Sequence, residues 1–308
     1  MRIVFMGTPD FAVPCLEKLI DMGENVVGVF TQTDKPVGRK QILTPSDVKV
    51  CALAHNIPVF QPKTLRDGKS IEILEQLQPD LIVVTAYGKI LPESIINYPR
   101  YGCINIHASL LPEYRGAAPI QWSIINGDKV TGVTSMQMDV GLDTGDIILQ
   151  RKTEIGENET AGELFDRLKL IGAEVLEDTI SLIKNGKIER IKQDDEKATY
   201  VTQLDKSFSP VDFNKSAQEI HNKVRGLNPW PVASFVMDNT RFKLWETKVS
   251  DKTDKQPGTV IKNGESLVVA CGENTSIELV IIQPEGKNKM KSSDYLRGHN
   301  VTLGTKLG

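Results

Sequence analysis

Short apolar runs that alternate with helical patterns constrain the fold of this chain more than any other feature of the sequence. Residues 2–6 and 25–31 are apolar runs, and residues 14–22 between them have the spacing of an amphipathic helix. Residues 81–86 are apolar at nearly every position, as strands are when both faces of their sheet are covered. Strands that alternate with helices in this way predict a parallel α/β sheet.

The same pattern continues through the next hundred residues. Strands are predicted at residues 103–107, 131–138 and 145–153, and a long amphipathic helix at residues 161–184. Residues 34–45 are rich in proline, glycine and basic residues, and we expect an exposed loop there.

The character of the sequence changes after the long helix. Residues 190–207 are mostly polar, and we interpret them as a linker between a first domain, residues 1–189, and a second domain, residues 208–308. In the second domain, a helical pattern at residues 217–226 is followed by short alternating runs that turn residues separate. This arrangement predicts a small β-barrel.

Composition places the chain among ordinary globular proteins. Of its 308 residues, 40% are apolar and 25% are charged, and the net charge is −3. Such a chain can bury a sizeable core, and it is not the strongly basic type that binds nucleic acid through net charge alone. The second domain does carry a small excess of positive charge, which hints at an anionic partner for it.

The cysteines, the histidines and the N-terminal residues narrow the kinds of site and the cellular compartment that we expect. The four cysteines form no CxxC pair and the four histidines are not clustered, so we predict neither a metal site nor a disulfide framework. The N-terminus lacks the apolar run of a signal peptide, and no stretch is long enough to cross a membrane. We therefore expect a cytoplasmic protein that does not associate with membranes.

Asn105 and His107 form the chemically most informative pair, within the segment GCINIHASLLPEYRGAAP. If residues 103–107 are extended, both side chains lie on one face, and Ile104 and Ile106 lie on the other. An amide donor beside an imidazole at the end of a strand can stabilise a developing oxyanion and transfer protons. The alternative is that both are hydrogen-bonded core residues, which is the more common role of an isolated Asn-x-His.

A carboxylate can complete this pair. Residues 138–146, MDVGLDTGD, form a turn directly after a predicted strand, and the carboxyl ends of parallel strands meet at one edge of a sheet. A carboxylate from this turn can reach His107 and orient its ring. The pattern alone does not choose between Asp139, Asp143 and Asp146.

Ser109 invites interpretation as a nucleophile. No G-x-S-x-G elbow surrounds it, and it is too near His107 along the chain to be aligned by that ring. Formation of a turn ahead of Pro112 is the better interpretation.

Several basic and aromatic residues have two plausible roles. Arg39 and Lys40 can bind a phosphate or remain solvated, and Trp230 is more often a packing anchor than a ligand contact. An alternating lysine run near the C-terminus can follow a nucleic-acid backbone or form a solvated face. The run consists of Lys287, Lys289 and Lys291.

Seven segments together carry a resemblance to a known family. They are GTPDFA at 7–12, FTQTDKPVGR at 30–39, TPS at 44–46, AYGKILP at 86–92, GCINIHASLLPEYRGAAPIQW at 102–122, MQMDVGLDTGD at 136–146 and NPWP at 228–231. Through them the chain resembles the methionyl-tRNA formyltransferases over nearly its whole length. All folate-dependent formyltransferases share the Asn-x-His, SLLP and aspartate elements, whereas GTPDFA, RGAAP and NPWP are more specific to the tRNA-dependent group.

The resemblance implies a fold and an activity. The fold is a doubly wound, mostly parallel, Rossmann-like catalytic domain, followed by a smaller OB-like barrel. The activity is transfer of the formyl group of 10-formyltetrahydrofolate to the free amino group of initiator methionyl-tRNA, which gives N-formylmethionyl-tRNA for translation initiation. The resemblance implies direct acyl transfer through a tetrahedral intermediate, with tetrahydrofolate as the second product and no metal, and we expect a monomer.

The resemblance also implies roles for individual residues. Asp143 becomes the catalytic carboxylate, beside an oxyanion donor, Asn105, and a charge-stabilising imidazolium, His107. The residues expected to bind the folate are Ala86, Tyr87, Gly88, Leu91, Pro92, Ser109, Leu110, Leu111 and Pro112. Those expected to bind tRNA are Arg39, Lys40, Arg115, Lys287, Lys289 and Lys291.

Two other functions compete with this one. A folate-dependent formyltransferase that acts on an amino-sugar nucleotide would share the site and differ in its acceptor. A non-catalytic nucleic-acid binder would use the barrel alone, and its binding would survive the change His107→Ala.

Overall fold

The computed structural model describes residues 1–38 and 40–308. These residues form two compact units, each made of several stretches of the chain. The first unit consists of Met1–Gly116, Val130–Glu154 and Phe165–Tyr200. The second unit consists of Ala117–Lys129, Ile155–Leu164 and Val201–Gly308.

Strands and helices are numbered along the chain. The strands are β1 (Arg2–Gly7), β2 (Asn25–Phe30), β3 (Lys35–Val37), β4 (Ile42–Thr44), β5 (Val59–Phe60), β6 (Leu81–Thr85), β7 (Cys103–His107), β8 (Arg115–Gly116), β9 (Val130–Gln137), β10 (Ile147–Glu154), β11 (Tyr200–Val201), β12 (Ala233–Met237), β13 (Thr240–Ser250), β14 (Val260–Lys262), β15 (Leu267–Ala270), β16 (Ser276–Pro284) and β17 (Met290–Lys291). The helices are α1 (Val13–Asp21), α2 (Asp47–Ala54), α3 (Lys69–Leu77), α4 (Glu93–Ile96), α5 (Pro119–Ile125), α6 (Ala161–Lys184), α7 (Ala217–Gly226) and α8 (Ser292–Gly298).

The first unit contains a mostly parallel central sheet, as the sequence predicts. The strand order is β10-β9-β7-β6-β1-β2-β5. The five strands from β7 to β5 run parallel, and β9 and β10 are antiparallel additions at one edge. The chain builds outward from β1 to β5 on one side and from β6 to β7 on the other. The boundary between β1 and β6 is therefore a topological switch point, where open α/β sheets bind ligands.

Helices cover both faces of this sheet, which explains why its central strands are apolar throughout. On one face, Val4 and Ile82 pack in a cluster with Leu74 of α3. On the other face, α6 comes so close that a Cβ on Gly172 would lie 3.3 Å from Cγ2 of Ile106. Strands that are covered on both sides are therefore mainly apolar, and polar residues such as Thr85 and His107 occur where a strand ends.

Residues 34–45, predicted to be a loop, contain a short hairpin instead. β3 and β4 pair antiparallel, with Lys35 opposite Thr44 and Val37 opposite Ile42. Val37 is 55% exposed and Ile42 is 62% exposed. The prediction missed these strands because backbone hydrogen bonds form them without burial, so they leave no hydrophobic pattern.

The second unit is built on an antiparallel sheet that packs against α7. Its order is β12-β13-β16-β15-β14, and β17 pairs with β16. Phe235 and Phe242 stack with ring centroids 5.1 Å apart, and Ile220 of α7 belongs to the same buried cluster. A capping box of Ser216 and Glu219 starts the helix, because each side chain bonds to the backbone N–H of the other residue.

Membrane-spanning helices and metal-binding groups were sought in residues 1–38 and 40–308. No helix in these ranges is long and apolar enough to cross a membrane. No group of three or more His, Cys, Asp or Glu side chains in these ranges is arranged to hold a metal ion.

Candidate active site

β7 carries Asn105 and His107 to the carboxyl-terminal edge of the central sheet. The two side chains share one face of the strand, and Ile106 between them is 2% exposed on the other face. Asn105 lies opposite Val84 of β6 and Met136 of β9, so its strand is an interior one. His107 is the last residue of β7 and is 7% exposed.

Asp143 is the aspartate of the 138–146 turn that reaches this pair. Its Oδ1 lies 3.5 Å from Nδ2 of Asn105, and its Oδ2 lies 3.8 Å from Nδ1 of His107. Both distances exceed those of strong hydrogen bonds, so the three side chains form an open polar triangle. Catalytic contacts are commonly loose before substrate binds.

The other two aspartates of the turn contribute to its shape. Asp139 Oδ1 accepts hydrogen bonds from the Gly141 N–H, at 3.0 Å, and from the Thr144 hydroxyl, at 2.6 Å. The backbone carbonyl of Asp146 accepts from the Gln137 N–H at 2.8 Å, where the turn closes. The three aspartates that the sequence pattern left open therefore differ in position, and Asp143 has its carboxylate 3.8 Å from Nδ1 of His107.

Backbone groups of residues 114–116 orient both the ring and the carboxylate. Nε2 of His107 lies 3.0 Å from the Tyr114 carbonyl oxygen, which can only accept, so Nε2 carries a proton and Nδ1 faces Asp143. The Gly116 N–H donates to Oδ2 of Asp143 at 2.8 Å. No sequence signal marks these contacts, because a main-chain donor or acceptor is available from any residue type.

Arg115 lies in the interior, although the resemblance implies that it binds tRNA. It is 1% exposed, and its guanidinium donates to Gln193, Asp195 and Tyr200. Burial opposes the charge, but the hydrogen bonds to Asp195 and Tyr200 raise the pKa of Arg115. A tRNA phosphate cannot reach the group in this conformation, which corrects the predicted contact. The reason is that part of the segment predicted to be a linker packs over Arg115.

The first segment expected to bind folate follows β6, next to the switch point. Ala86 and Gly88 are exposed and have left-handed φ angles of 45° and 73°. Tyr87 between them is buried, and burial raises the pKa of its hydroxyl to about 12. The Tyr87 carbonyl accepts from Thr8 Oγ1 and from Gln32 Nε2, each at 2.9 Å. The loops that follow β1 and β2 thus fix the shape of this segment.

The second segment expected to bind folate is a turn fastened to β9 and β10. The Ser109 hydroxyl is buried and donates to the Glu113 carbonyl at 2.7 Å, as its predicted role in a turn requires. The Leu111 N–H donates to Thr134 Oγ1 at 3.1 Å, and the Leu111 carbonyl accepts from Gln150 Nε2 at 2.8 Å. The remaining members of the two segments are Leu91, which is buried, and the partly exposed Pro92, Leu110 and Pro112.

The basic residues assigned to tRNA lie in two different units. Arg39 lies outside the described residues, and Lys40 is exposed in the turn between β3 and β4. The other three are exposed side chains of the second unit, Lys287, Lys289 and Lys291.

Trp245, for which the sequence predicted no role, lies among the basic residues of the second unit. Nζ of Lys289 is 3.1 Å from the ring centroid of Trp245, and Nζ of Lys243 is 5.8 Å from it. Trp230, which was singled out, is 53% exposed. The available signal was the alternation of Lys243 and Trp245 on β13, which puts both on one face of the strand.

Comparisons with known proteins agree along the whole chain. The family model described as formyl transferase matches residues 1–180, and the model described as formyl transferase, C-terminal domain, matches residues 203–300. A methionyl-tRNA formyltransferase of Alkaliphilus oremlandii is 52% identical over 310 residues and covers 100% of both chains. This chain belongs to the methionyl-tRNA formyltransferase family. Another member, from Clostridioides difficile, is 48% identical over 309 residues and also covers 100% of both chains.

Solved structures extend the likeness to more distant proteins. The N-formyltransferase from Helicobacter canadensis, in complex with folinic acid and dTDP-3-aminofucose, has a TM-score of 0.71 at 21% identity, and the match covers 92% of this chain and 99% of that one. HypX from Aquifex aeolicus, in complex with tetrahydrofolic acid, has a TM-score of 0.62 at 15% identity and is covered over 50% of its own length. At such identities the likeness shows a shared fold, whereas membership in the family rests on the full-length relatives.

Proposed function

We propose that this chain transfers the formyl group of 10-formyltetrahydrofolate to the free amino group of initiator methionyl-tRNA. The observation that carries the proposal is that the Asp143 carboxylate lies within 4 Å of both the Asn105 amide and the His107 ring. An amide donor, an imidazole and a carboxylate are the groups that direct acyl transfer requires. The printed names of relatives that are 52% and 48% identical support methionyl-tRNA as the acceptor.

Each of the three side chains has a distinct task in the proposed reaction. As the amine attacks the formyl carbon, negative charge develops on the formyl oxygen, and Asn105 donates a hydrogen bond to it. One such donor lowers the barrier by roughly 3–4 kcal/mol. Protonated His107 stabilises the same charge, and Asp143 pairs with the ring and relays the proton of the amine to the leaving nitrogen. The tetrahedral intermediate collapses without acylation of the protein.

The loop of residues 86–92 is suited to bind the polar edge of the pterin ring of the folate. Two left-handed residues around buried Tyr87 leave the backbone of Ala86 and Gly88 exposed at the switch point. A Cβ at Gly88 would lie 2.5 Å from Nε2 of Gln32, which donates to the carbonyls of Tyr87 and Gly88, so only glycine lets Gln32 pack against this backbone. Exposed N–H and C=O groups there can form hydrogen bonds with the polar edge of a pterin ring.

The basic face around Trp245 supports contact between the second unit and tRNA. Lys243 and Lys289 lie over its ring, and Lys287 and Lys291 are exposed nearby in sequence. Lysines bind phosphates without regard to sequence, and an aromatic ring can stack on an unpaired base. We further propose that the antiparallel sheet of this unit is an OB-like barrel, and that the protein is a cytoplasmic monomer with the domains 1–189 and 208–308. Residues 190–207 connect them, and those up to Tyr200 belong to the first unit.

Transfer of radiolabelled formyl groups tests the proposed function directly. Purified protein is given 10-formyltetrahydrofolate together with initiator methionyl-tRNA, elongator methionyl-tRNA or a dTDP-linked amino sugar. We expect rapid transfer to the initiator, slower transfer to the elongator and none to the sugar. Transfer to the sugar without transfer to tRNA would establish the alternative acceptor, and absence of any transfer would overturn the assignment as an enzyme.

A further inference from the structure

Asp143 has an unusual backbone conformation that a neighbouring side chain secures. Its φ is 54°, in the left-handed region that non-glycine residues seldom adopt. The side-chain amide of Gln193 donates to the Asp143 carbonyl at 2.9 Å and to the Gly145 carbonyl at 2.7 Å. One amide group thereby holds two carbonyls of the turn, and the direction of the Asp143 side chain follows from the backbone that it holds.

Gln193 is in turn held by Arg115. The Gln193 Oε1 accepts from Nε of Arg115 at 3.0 Å and from Nη2 at 2.9 Å. Both donors lie on one edge of the guanidinium plane. Gln193 is 6% exposed and Arg115 is 1% exposed. Because a guanidinium can only donate, this contact fixes the amide with its oxygen towards Arg115 and its NH₂ towards the turn. The arrangement leaves no alternative amide orientation.

The same segment also reaches the carboxylate of Asp143. The N–H of Gly116, the residue after Arg115, donates to Oδ2 of Asp143 at 2.8 Å. Arg115 itself is fixed from outside, because Nη2 donates to Asp195 at 2.7 Å and Nη1 donates to the Tyr200 hydroxyl at 2.9 Å. The strand β8 therefore holds Asp143 in two ways. Arg115 holds its backbone through Gln193, and the N–H of Gly116 holds its carboxylate.

Burial of an arginine is costly, so its placement needs a reason. All the described bonds of the Arg115 guanidinium go to Gln193, Asp195 and Tyr200, and Gln193 passes the constraint on to the turn of Asp143. We propose that Arg115 and Gln193 are positioning residues, which hold the Asp143 carboxylate in register with Asn105 and His107. The inference deepens the proposed function and depends on it for the identity of the reaction.

The variant Gln193→Met tests this chain of contacts, because methionine has a similar length and neither donates to the turn nor accepts from Arg115. We expect kcat for formyl transfer to fall by about 10- to 100-fold, as small misplacements of catalytic groups do. The KM values for the folate and for methionyl-tRNA should stay within about twofold, because neither contact involves a substrate. Gln76→Met, at an exposed position on α3, is the matched control and should leave kcat unchanged.

A double-mutant cycle separates positioning from general stabilisation. If Gln193 acts through Asp143, then Gln193→Met added to Asp143→Asn should lower the residual kcat by less than about twofold. The inference would be overturned if Gln193→Met lowered kcat by the same factor with and without Asp143→Asn. It would also be overturned if the fall in kcat matched the loss of folded protein seen in a thermal melt. Should Gln193→Met fail to fold, Gln193→Glu retains the contact with Arg115 and replaces the NH₂ donor with a carboxylate oxygen, which repels the carbonyls of Asp143 and Gly145.

A measurement without substrate distinguishes failure of this inference from failure of the proposed function. The ¹⁵N chemical shifts of the His107 ring report its surroundings in the free protein. We expect them to change in Gln193→Met, because the carboxylate that faces Nδ1 moves, and to stay constant in Gln76→Met. Unchanged shifts would overturn the positioning role whatever the acceptor is. Absence of formyl transfer by the unaltered protein would overturn the proposed reaction alone.

Discussion

The carboxylate of Asp143 lies 3.8 Å from Nδ1 of His107, and the opposite ring nitrogen, Nε2, is engaged by the Tyr114 carbonyl at 3.0 Å. The ring is thus held by one backbone group on one side and faces one carboxylate on the other. Nδ2 of Asn105 lies 3.5 Å from the same carboxylate. In the proposed reaction, the formyl group meets a donor, a proton carrier and a base together.

The change Asp143→Asn should keep the fold and remove most of the activity. Asparagine can still accept the Gly116 N–H through its carbonyl oxygen, but it has no charge to pair with His107 and no capacity to take the proton of the amine. We expect kcat to fall by about 100-fold or more. Single-turnover transfer to methionyl-tRNA measures the loss, and circular dichroism checks the fold. Turnover near that of the unaltered protein would remove Asp143 from the mechanism.

The change Ser109→Ala should cost stability without abolishing the chemistry. The hydroxyl donates its proton to the Glu113 carbonyl inside the turn, so its contribution to folate binding comes through the shape of that turn. Loss of one buried hydrogen bond costs about 1 kcal/mol. We expect a lower denaturant midpoint and a kcat within a few-fold of the original. Complete loss of transfer in a folded variant that still binds folate would show that the hydroxyl takes part in the reaction.

The change Gly145→Ala should disturb the catalytic turn through its backbone. A Cβ at this position would lie 1.7 Å from the Gln137 carbonyl oxygen, so the turn must move. Overpacking of this kind costs about 1–3 kcal/mol, and we expect kcat to fall because Asp143 belongs to the same turn. Gly298→Ala in α8 is the control, since its Cβ would meet no atom within 4 Å. Equal kcat in the two variants would contradict the prediction.

The change Lys289→Ala should weaken binding of tRNA and leave use of the folate intact. The side chain is exposed and covers the Trp245 ring, on a face with other lysines. We expect a higher KM for methionyl-tRNA, an unchanged KM for 10-formyltetrahydrofolate, and a salt dependence of tRNA binding whose slope is smaller by about one. Lys252→Ala, at another exposed position, is the comparison. Identical effects of both changes would argue against a specific basic face.

His221 should make the second unit sensitive to mild acid. Burial lowers the pKa of His221 below its ordinary value of 6.5, and its Nδ1 lies 3.0 Å from the Thr247 hydroxyl. The unfolded chain therefore takes up a proton at a higher pH than the folded chain. The contribution of neutral His221 to the free energy of unfolding is complete above pH 6.5 and is lost as the pH falls below that value. Melting temperatures between pH 7.5 and about 5 should fall less steeply in His221→Gln. The exposed His55→Gln should follow the unaltered protein, and an equal slope in all three would refute the prediction.

Apolar spacing in the sequence was enough to predict a helix or strand where one face of that element is buried along its whole length. The helix predicted at residues 161–184 and the strand predicted at residues 103–107 have the same bounds in the structure, because their apolar spacing reflects one continuous buried face. The hairpin of β3 and β4 escaped prediction because exposed strands carry no such spacing. Gln193 escaped it as well, since a buried glutamine in a polar stretch looks like any solvated residue of a linker.

The sequence by itself determined the class of sheet, the shared face of Asn105 and His107, and, through its resemblance, the family. Alternation left three aspartates of the turn open, the resemblance implied Asp143, and the tertiary structure gave its distance from His107. Only the tertiary structure showed that Arg115 points inward to Gln193 instead of outward to a phosphate. The physical reason is that period-two alternation orders side chains within one strand, whereas distances between a turn, a strand and a distant polar segment depend on how the chain closes in space.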